Sequence, residues 1–272
     1  MWINIAYALM WASVAGYVWF LRTQERFDEW WALSVLVGAW GSLTVGLVQR
    51  GLDAGYWPLT NHYEALLCLA WAILGVYLAL DLFWGERKAG IWVLATAVLA
   101  ATYAILQPAD GKAILPLLAV LHSPWQQVHS ICAAFGYGIL SVAGGLGLRR
   151  SWIAWRTRKD PAAPEHAGIQ KIDAVIDSLL NLSLISLTAA LLTGAVWTQA
   201  AFGRYFAWEP AEVWGLVAWL ACLLANHARL SRAWRGQRLT WIAISGLALV
   251  VITYAGVPWI IQLLKAVTIQ GY

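Results

Sequence analysis

Five histidines, His62, His122, His129, His166 and His227, carry most of the metal-ligating capacity of this chain. An imidazole inside a membrane span is costly unless it is paired or ligated. His129 (in Pro-Trp-Gln-Gln-Val-His) and His227 (in Ala-Asn-His-Ala-Arg) meet that description best, because both lie within or beside long apolar runs. Neutral imidazole is also a usual protein ligand of haem iron; the plainer role is a hydrogen-bonded packing residue. The second concentration of unusual residues is Trp197–Trp214, which sets three tryptophans, two phenylalanines and a tyrosine around Gly203 and Pro210. Such a segment is either an aromatic anchor at a membrane interface or a flat apolar shelf for a large planar ligand, with Arg204 beside it for an anionic edge. Glu209 and Glu212 add negative charge where the next helix begins, the favourable end of its dipole. Cys68, Cys132 and Cys222 sit singly in apolar runs with no CxxC pair, so they read as buried packing residues and not as a zinc or redox site.

The elements that must position these residues are membrane spans. Only 12% of the 272 residues are charged and 61% are hydrophobic, against about a quarter charged in soluble domains. Twenty tryptophans suit headgroup level. Runs long enough to cross about 30 Å of hydrocarbon fall near 2–21, 30–48, 64–84, 90–106, 127–148, 175–198, 213–230 and 240–261. The expected fold is therefore all-α, a single polytopic domain of about eight transmembrane helices. The first run has no charge before it and no cleavage site after it, so it reads as a retained helix. Of the 18 lysines and arginines, 14 fall in the connections after the first, third, fifth and seventh runs. Positive residues stay inside, which puts both termini, and the segment 197–214, outside. Net charge is +4 with no basic patch, so no nucleic-acid partner is expected.

Four motifs, in order, resemble the CcsA (ResC) proteins of the system II cytochrome c maturation pathway, haem-handling membrane proteins with a tryptophan-rich WWD segment. Gly203-Arg-Tyr-Phe-Ala-Trp-Glu-Pro-Ala-Glu-Val-Trp214 is similar to the family's G-x-Y-W-x-W-D-P-K-E-x-W, and Pro58-Leu-Thr-Asn-His-Tyr-Glu-Ala-Leu66 to its P-L-S-N-x-Y-E-S-L. Leu121–His129 and His227–Gly236 resemble two further stretches, one ending in histidine and one opening on it. The resemblance implies haem b as the cofactor, with His129 as an axial ligand on the outer face. It implies Trp197, Gly203, Tyr205, Trp208, Glu209, Pro210 and Trp214 as haem-contacting WWD positions. His227 would belong to an inner site whose other histidine comes from a CcsB-like membrane partner. Localisation would be the plasma (inner) membrane, with the WWD segment on the periplasmic or extracytoplasmic side.

The chain departs from that pattern in three places. The family's second outer histidine follows the last helix, whereas no histidine follows His227 here; Lys265 or Gln270 falls about there. Glu209 stands for the WWD aspartate, and Phe202 and Phe206 for tryptophans. The outer iron would then be five-coordinate, or completed by His62, His122 or water. His122 and His129 on one continuous helix would lie about 10 Å apart on one side, but Pro124 between them interrupts that continuity. The resemblance implies haem transport and presentation for ligation to the CxxCH thiols of apocytochrome c, as a component of a haem lyase. The alternative is a non-catalytic assembly or regulatory member of the same superfamily. A secondary transporter would show half-length repeats or interrupted helices, and the sequence has neither.

Overall fold

In lipid no water can satisfy backbone N–H and C=O groups, so a chain this apolar must close its hydrogen bonds within helices. The computed structural model describes residues 1–159, 166, 168–231 and 234–260. Among them eight helices are long and apolar enough to cross a membrane, as the hydropathy pattern requires. They are α1 (Trp2–Thr23), α2 (Arg26–Ala54), α3 (His62–Trp84), α4 (Gly90–Ile105, lengthened to a full span by the 3₁₀ turn Arg87–Ala89), α5 (Pro124–Arg156), α6 (Ile169–Phe202), α7 (Pro210–Ser231) and α8 (Gln237–Val251). A π-helical turn, Ile252–Gly256, carries the last span on to Ile260.

The helices alternate in direction, so the bundle has two chemically distinct ends. At one end Arg87 pairs with Glu29 and Asp81, Glu86 with Arg149 and Lys171, and Arg150 with Asp173 and Gln237. These contacts tie α2, α3, α5, α6 and α8 together. They also explain why α5 and α6 outrun the expected spans. At 33 and 34 residues, each is about 50 Å long at 1.5 Å per residue, beyond the hydrocarbon core. Hydropathy registers only the apolar part; the remaining turns carry Arg149, Arg150, Lys171 and Asp173 into that charged layer. The opposite end gathers the start of α1, the end of α2, the starts of α3 and α5, and the α6–α7 turn. Tyr7 bonds Thr102 across α1 and α4 there at 2.9 Å.

The most buried spans, α3 and α5, form the centre. Close approach of α5 to α4 depends on Gly145, where an added Cβ would lie 3.0 Å from the Trp92 carbonyl oxygen. Small residues allow such contacts where lipid offers no hydrophobic gain from helix association.

Candidate functional site

Pro58–Leu66 forms a locked corner at the second end. Asn61 caps α3 by accepting the Glu64 N–H at 2.9 Å, the usual task of an N-cap amide oxygen. Glu64 is fully buried and accepts from Arg50 Nε at 2.7 Å and from the Thr60 N–H and hydroxyl at 2.8 and 2.9 Å. Removing one partner of a buried pair typically costs about 3–5 kcal/mol, so this carboxylate holds the corner tightly. Arg50 also donates to the Lys112 carbonyl at 2.9 Å, and Gln126 Nε2 to the Leu59 carbonyl at 2.9 Å. The start of α3, and with it His62, is thus anchored to α2, to the connection before α5, and to α5 itself.

The aromatic segment is a helix end, a turn and a helix start. α6 runs through Trp197 to Phe202 and stops at Gly203, whose φ of 71° suits glycine. Trp208 has a φ of 59°, a strained position for a bulky residue that costs roughly 1–3 kcal/mol. Pro210 opens α7, the position where its missing N–H is harmless. Glu212 clasps the three parts together, accepting the Ala207 N–H at 2.7 Å and the Thr198 hydroxyl at 3.2 Å. The sequence marks Glu212 only as a helix-start charge; its clasp depends on a turn it cannot specify.

His129 lies one turn into α5 and faces α6. Its Nδ1 lies 2.8 Å from the Ala190 carbonyl oxygen, which only accepts, so Nδ1 carries the proton and Nε2 keeps its lone pair. The ring lies against Trp197, with centroids 6.1 Å apart and planes inclined by 27°. Trp197 is held in turn by its N–H, which donates to the Val120 carbonyl at 2.8 Å. Gly194 makes room for the imidazole: a Cβ there would fall 2.6 Å from His129 Nδ1. Nothing in the sequence singles out Gly194 or Ala190.

A cavity of about 660 Å³ opens between these groups, within the ~300–1,000 Å³ common for cofactor sites. Of the residues expected at the site, His62, His129, Trp197, Tyr205, Glu209 and Pro210 line it. Phe206 and Glu212 line it too, as do Thr253 and Tyr254 of the π-helical turn, an irregularity common at functional sites. Gly203, Trp208 and Trp214 stand outside the wall. Trp208 packs edge-on against Phe206 with centroids 5.0 Å apart and is 75% exposed.

His122 stands apart from the cavity. It caps a single 3₁₀ turn before Pro124, is exposed, and does not line the cavity, because α5 starts only at Pro124. His227 is exposed on α7 near the charged end. Lys265 and Gln270 lie outside the described residues. Cys68 is buried on the cavity wall, its thiol 3.5 Å from the Pro58 carbonyl oxygen. A neighbouring cavity of about 620 Å³ between α2, α3 and α5 shares Leu59, Cys68 and Ala134 with the first but has no histidine.

Residues 59–265 match the family described as Cytochrome C assembly protein. The chain is 28% identical to the cytochrome c biogenesis protein CcsA of Synechococcus sp. (strain RCC307), over 88% of this chain and 85% of that protein. It is 30% identical to the CcsA of Synechococcus sp. (strain JA-3-3Ab), covering 84% and 82%. The CcsA of Gloeobacter violaceus is 27% identical, covering 95% and 93%. The matched stretch takes in the locked corner, His129, the aromatic turn and His227, and so the chain belongs to the cytochrome c assembly protein family, as an eight-helix membrane member.

Proposed function

We propose that this protein acts in cytochrome c maturation by holding haem b as cargo in the His129 cavity and presenting it to apocytochrome c outside the membrane. The observation that carries this reading is the state of His129. Its Nδ1 proton is committed to the Ala190 carbonyl, leaving Nε2 as a neutral donor on the wall of an aromatic cavity. A second interaction that fixes tautomer and ring angle is what a haem-iron or metal imidazole normally has. The donor set suits haem better than a bare ion: among the described residues no group of three or more His, Cys, Asp or Glu converges. Haem brings four nitrogens of its own and needs only one or two from protein.

The protein's part is to orient the porphyrin and keep water from its faces. Each CxxCH thiol of apocytochrome c adds across a vinyl group, forming a C–S bond while its hydrogen ends on the adjacent carbon, so no leaving group has to be accommodated. Trp208, exposed at the rim beside Phe206, is placed to meet the haem edge or the incoming chain. A CcsB-like partner fits the outward stripe of α7, where Leu220, Leu223, Leu224, His227 and Leu230 are all exposed. That stripe supports His227 as half of an inner haem site completed by the partner. The alternative of a non-catalytic assembly member draws on Glu209 standing for the WWD aspartate. Both readings place haem at the same cavity and differ only in whether thiol addition occurs there.

Two measurements test this. Protein purified in detergent from haem-replete cells is expected to carry a haem Soret band, and a colourless preparation that also fails to take up added haem rejects the reading. The orientation rests on the 14 of 18 lysines and arginines that the sequence places in the connections after the first, third, fifth and seventh runs. In a background with Cys68, Cys132 and Cys222 changed to serine, Arg204→Cys is expected to react with a membrane-impermeant thiol reagent applied outside, and Arg158→Cys to stay protected. Labelling of position 158 first reverses the topology.

A further inference from the structure

Seven neutral or anionic side chains with a ligating atom lie on the cavity wall besides His129, and six are unsuitable or engaged. Tyr137 and Tyr254 pack edge-on against each other. The Cys68 thiol is turned to the Pro58 carbonyl. Glu212 is committed to Ala207 and Thr198. Tyr205 and Glu209 are on the exposed rim. His62 is different. Its Nε2 is closed off from solvent and makes no hydrogen bond of full geometry among the described residues, the Tyr254 main chain being in looser polar contact with the ring. Leaving a buried polar atom unsatisfied costs about 1–3 kcal/mol, and a protein tolerates that most readily where a ligand completes the group.

We propose that His62 is the second iron ligand of the cavity, opposite His129; the inference rests on the haem reading above and assigns the coordination that reading leaves open. The two rings reach the cavity from different sides. His129 is pinned to Ala190 and Trp197 of α6. His62 rests edge-on against Tyr103 of α4, with centroids 5.6 Å apart, and beside the main chain of Tyr254 in the π-helical turn. Its backbone is the first residue of α3, held by the Asn61 cap and the buried Glu64–Arg50 pair, so the ring is presented from a rigid base, as a ligand position requires. The ring torsion is broad and roughly two-fold for histidine, so Nε2 would reach a bound iron by rotating the ring off Tyr103 and the Tyr254 main chain, without any shift of α3. The competing imidazole, His122, is exposed and outside the wall.

The test reads iron coordination directly. Detergent-purified protein is stripped of haem and reconstituted with ferric haem b, and its spin state is measured by magnetic circular dichroism and electron paramagnetic resonance. The wild type is expected to be low-spin with two imidazoles. His62→Ala should convert to high-spin while keeping haem bound, and free imidazole added to that variant should restore the low-spin signal. His122→Ala should look like wild type. A variant damaged in folding is recognised by a failure of imidazole to restore the signal together with loss of monodispersity. His62→Met then decides, because a thioether in place of imidazole should give a mixed-ligand low-spin signature. Persistence of bis-imidazole signals in His62→Ala or His62→Met overturns the assignment, as does a high-spin wild type. If those signals still vanish in His129→Ala, the cavity remains the haem site and only His62 is wrong. A wild type that binds no ferric haem b overturns both.

Discussion

Replacing His129 by alanine is expected to strip the purified protein of at least about nine-tenths of the haem it carries from haem-replete cells. Tenfold weaker binding corresponds to about 1.4 kcal/mol, which is modest for removing an imidazole whose Nδ1 is already oriented by the Ala190 carbonyl. The variant should fold. The Ala190 carbonyl oxygen retains a contact from the Thr193 hydroxyl at 3.2 Å, and the space left beside Trp197 opens onto an existing cavity. Imidazole supplied in the buffer should return part of the haem, since the cavity wall that orients it is unchanged. The readout is the Soret absorbance per protein, with His122→Ala as the matched control. If His129→Ala keeps its full haem while His227→Ala loses it, the cargo sits at the other end of α7 and the assignment of the cavity fails.

The second large effect is expected from a glycine, which has no side chain to offer a ligand. In Gly194→Ala the new methyl would fall 2.6 Å from His129 Nδ1 and 3.0 Å from its Cε1, closer than any stable contact. The imidazole must move off the Ala190 carbonyl, which loosens both its tautomer and its stacking on Trp197. Loss of such an orienting partner typically costs ten- to a hundredfold in affinity at a metal site, so haem retention should fall by at least about tenfold. Helix α6 by itself should gain, because alanine is favoured over glycine by about 0.8–1.0 kcal/mol in a helix interior. Two opposed signs make the prediction specific: haem is lost while thermal stability of the haem-free protein is kept or slightly raised. Measuring both on one preparation separates a displaced ligand from a damaged bundle. Wild-type haem content in Gly194→Ala would show that His129 is free to move without consequence.

Much of the molecule is legible without coordinates, and the reason is the solvent. A bilayer requires each crossing to be a helix of roughly 20 apolar residues, so counting apolar runs yields eight spans, and eight are present. The same rule misjudges length: α5 and α6 continue for turns whose charges satisfy one another across helices, as Arg150 does with Asp173, and no local hydropathy reports a partner 23 residues away. Motif order pointed to the locked corner, His129 and the aromatic turn, which the family match covers. It also pointed to Trp208 and Trp214 as wall residues and to His122 as a candidate ligand, and the cavity is not lined by any of these.

The amino-acid sequence by itself determined the class of solvent, the number of crossings, the concentration of cations at alternate connections and the family. Those properties depend on composition and short-range pattern, which each segment carries alone. Only the tertiary structure decided which histidines meet. His62 and His129 are far apart in the chain and come to one cavity because the Glu64–Arg50 pair fixes the start of α3 on α2 and the Gln126–Leu59 bond ties the start of α5 to that corner. His122, seven residues from His129, is left out because α5 begins after it, at Pro124. Proximity along the chain fails there for a physical reason: ligand geometry is set by how rigid helices pack, through contacts as particular as the space at Gly194, and packing is a property of pairs of segments.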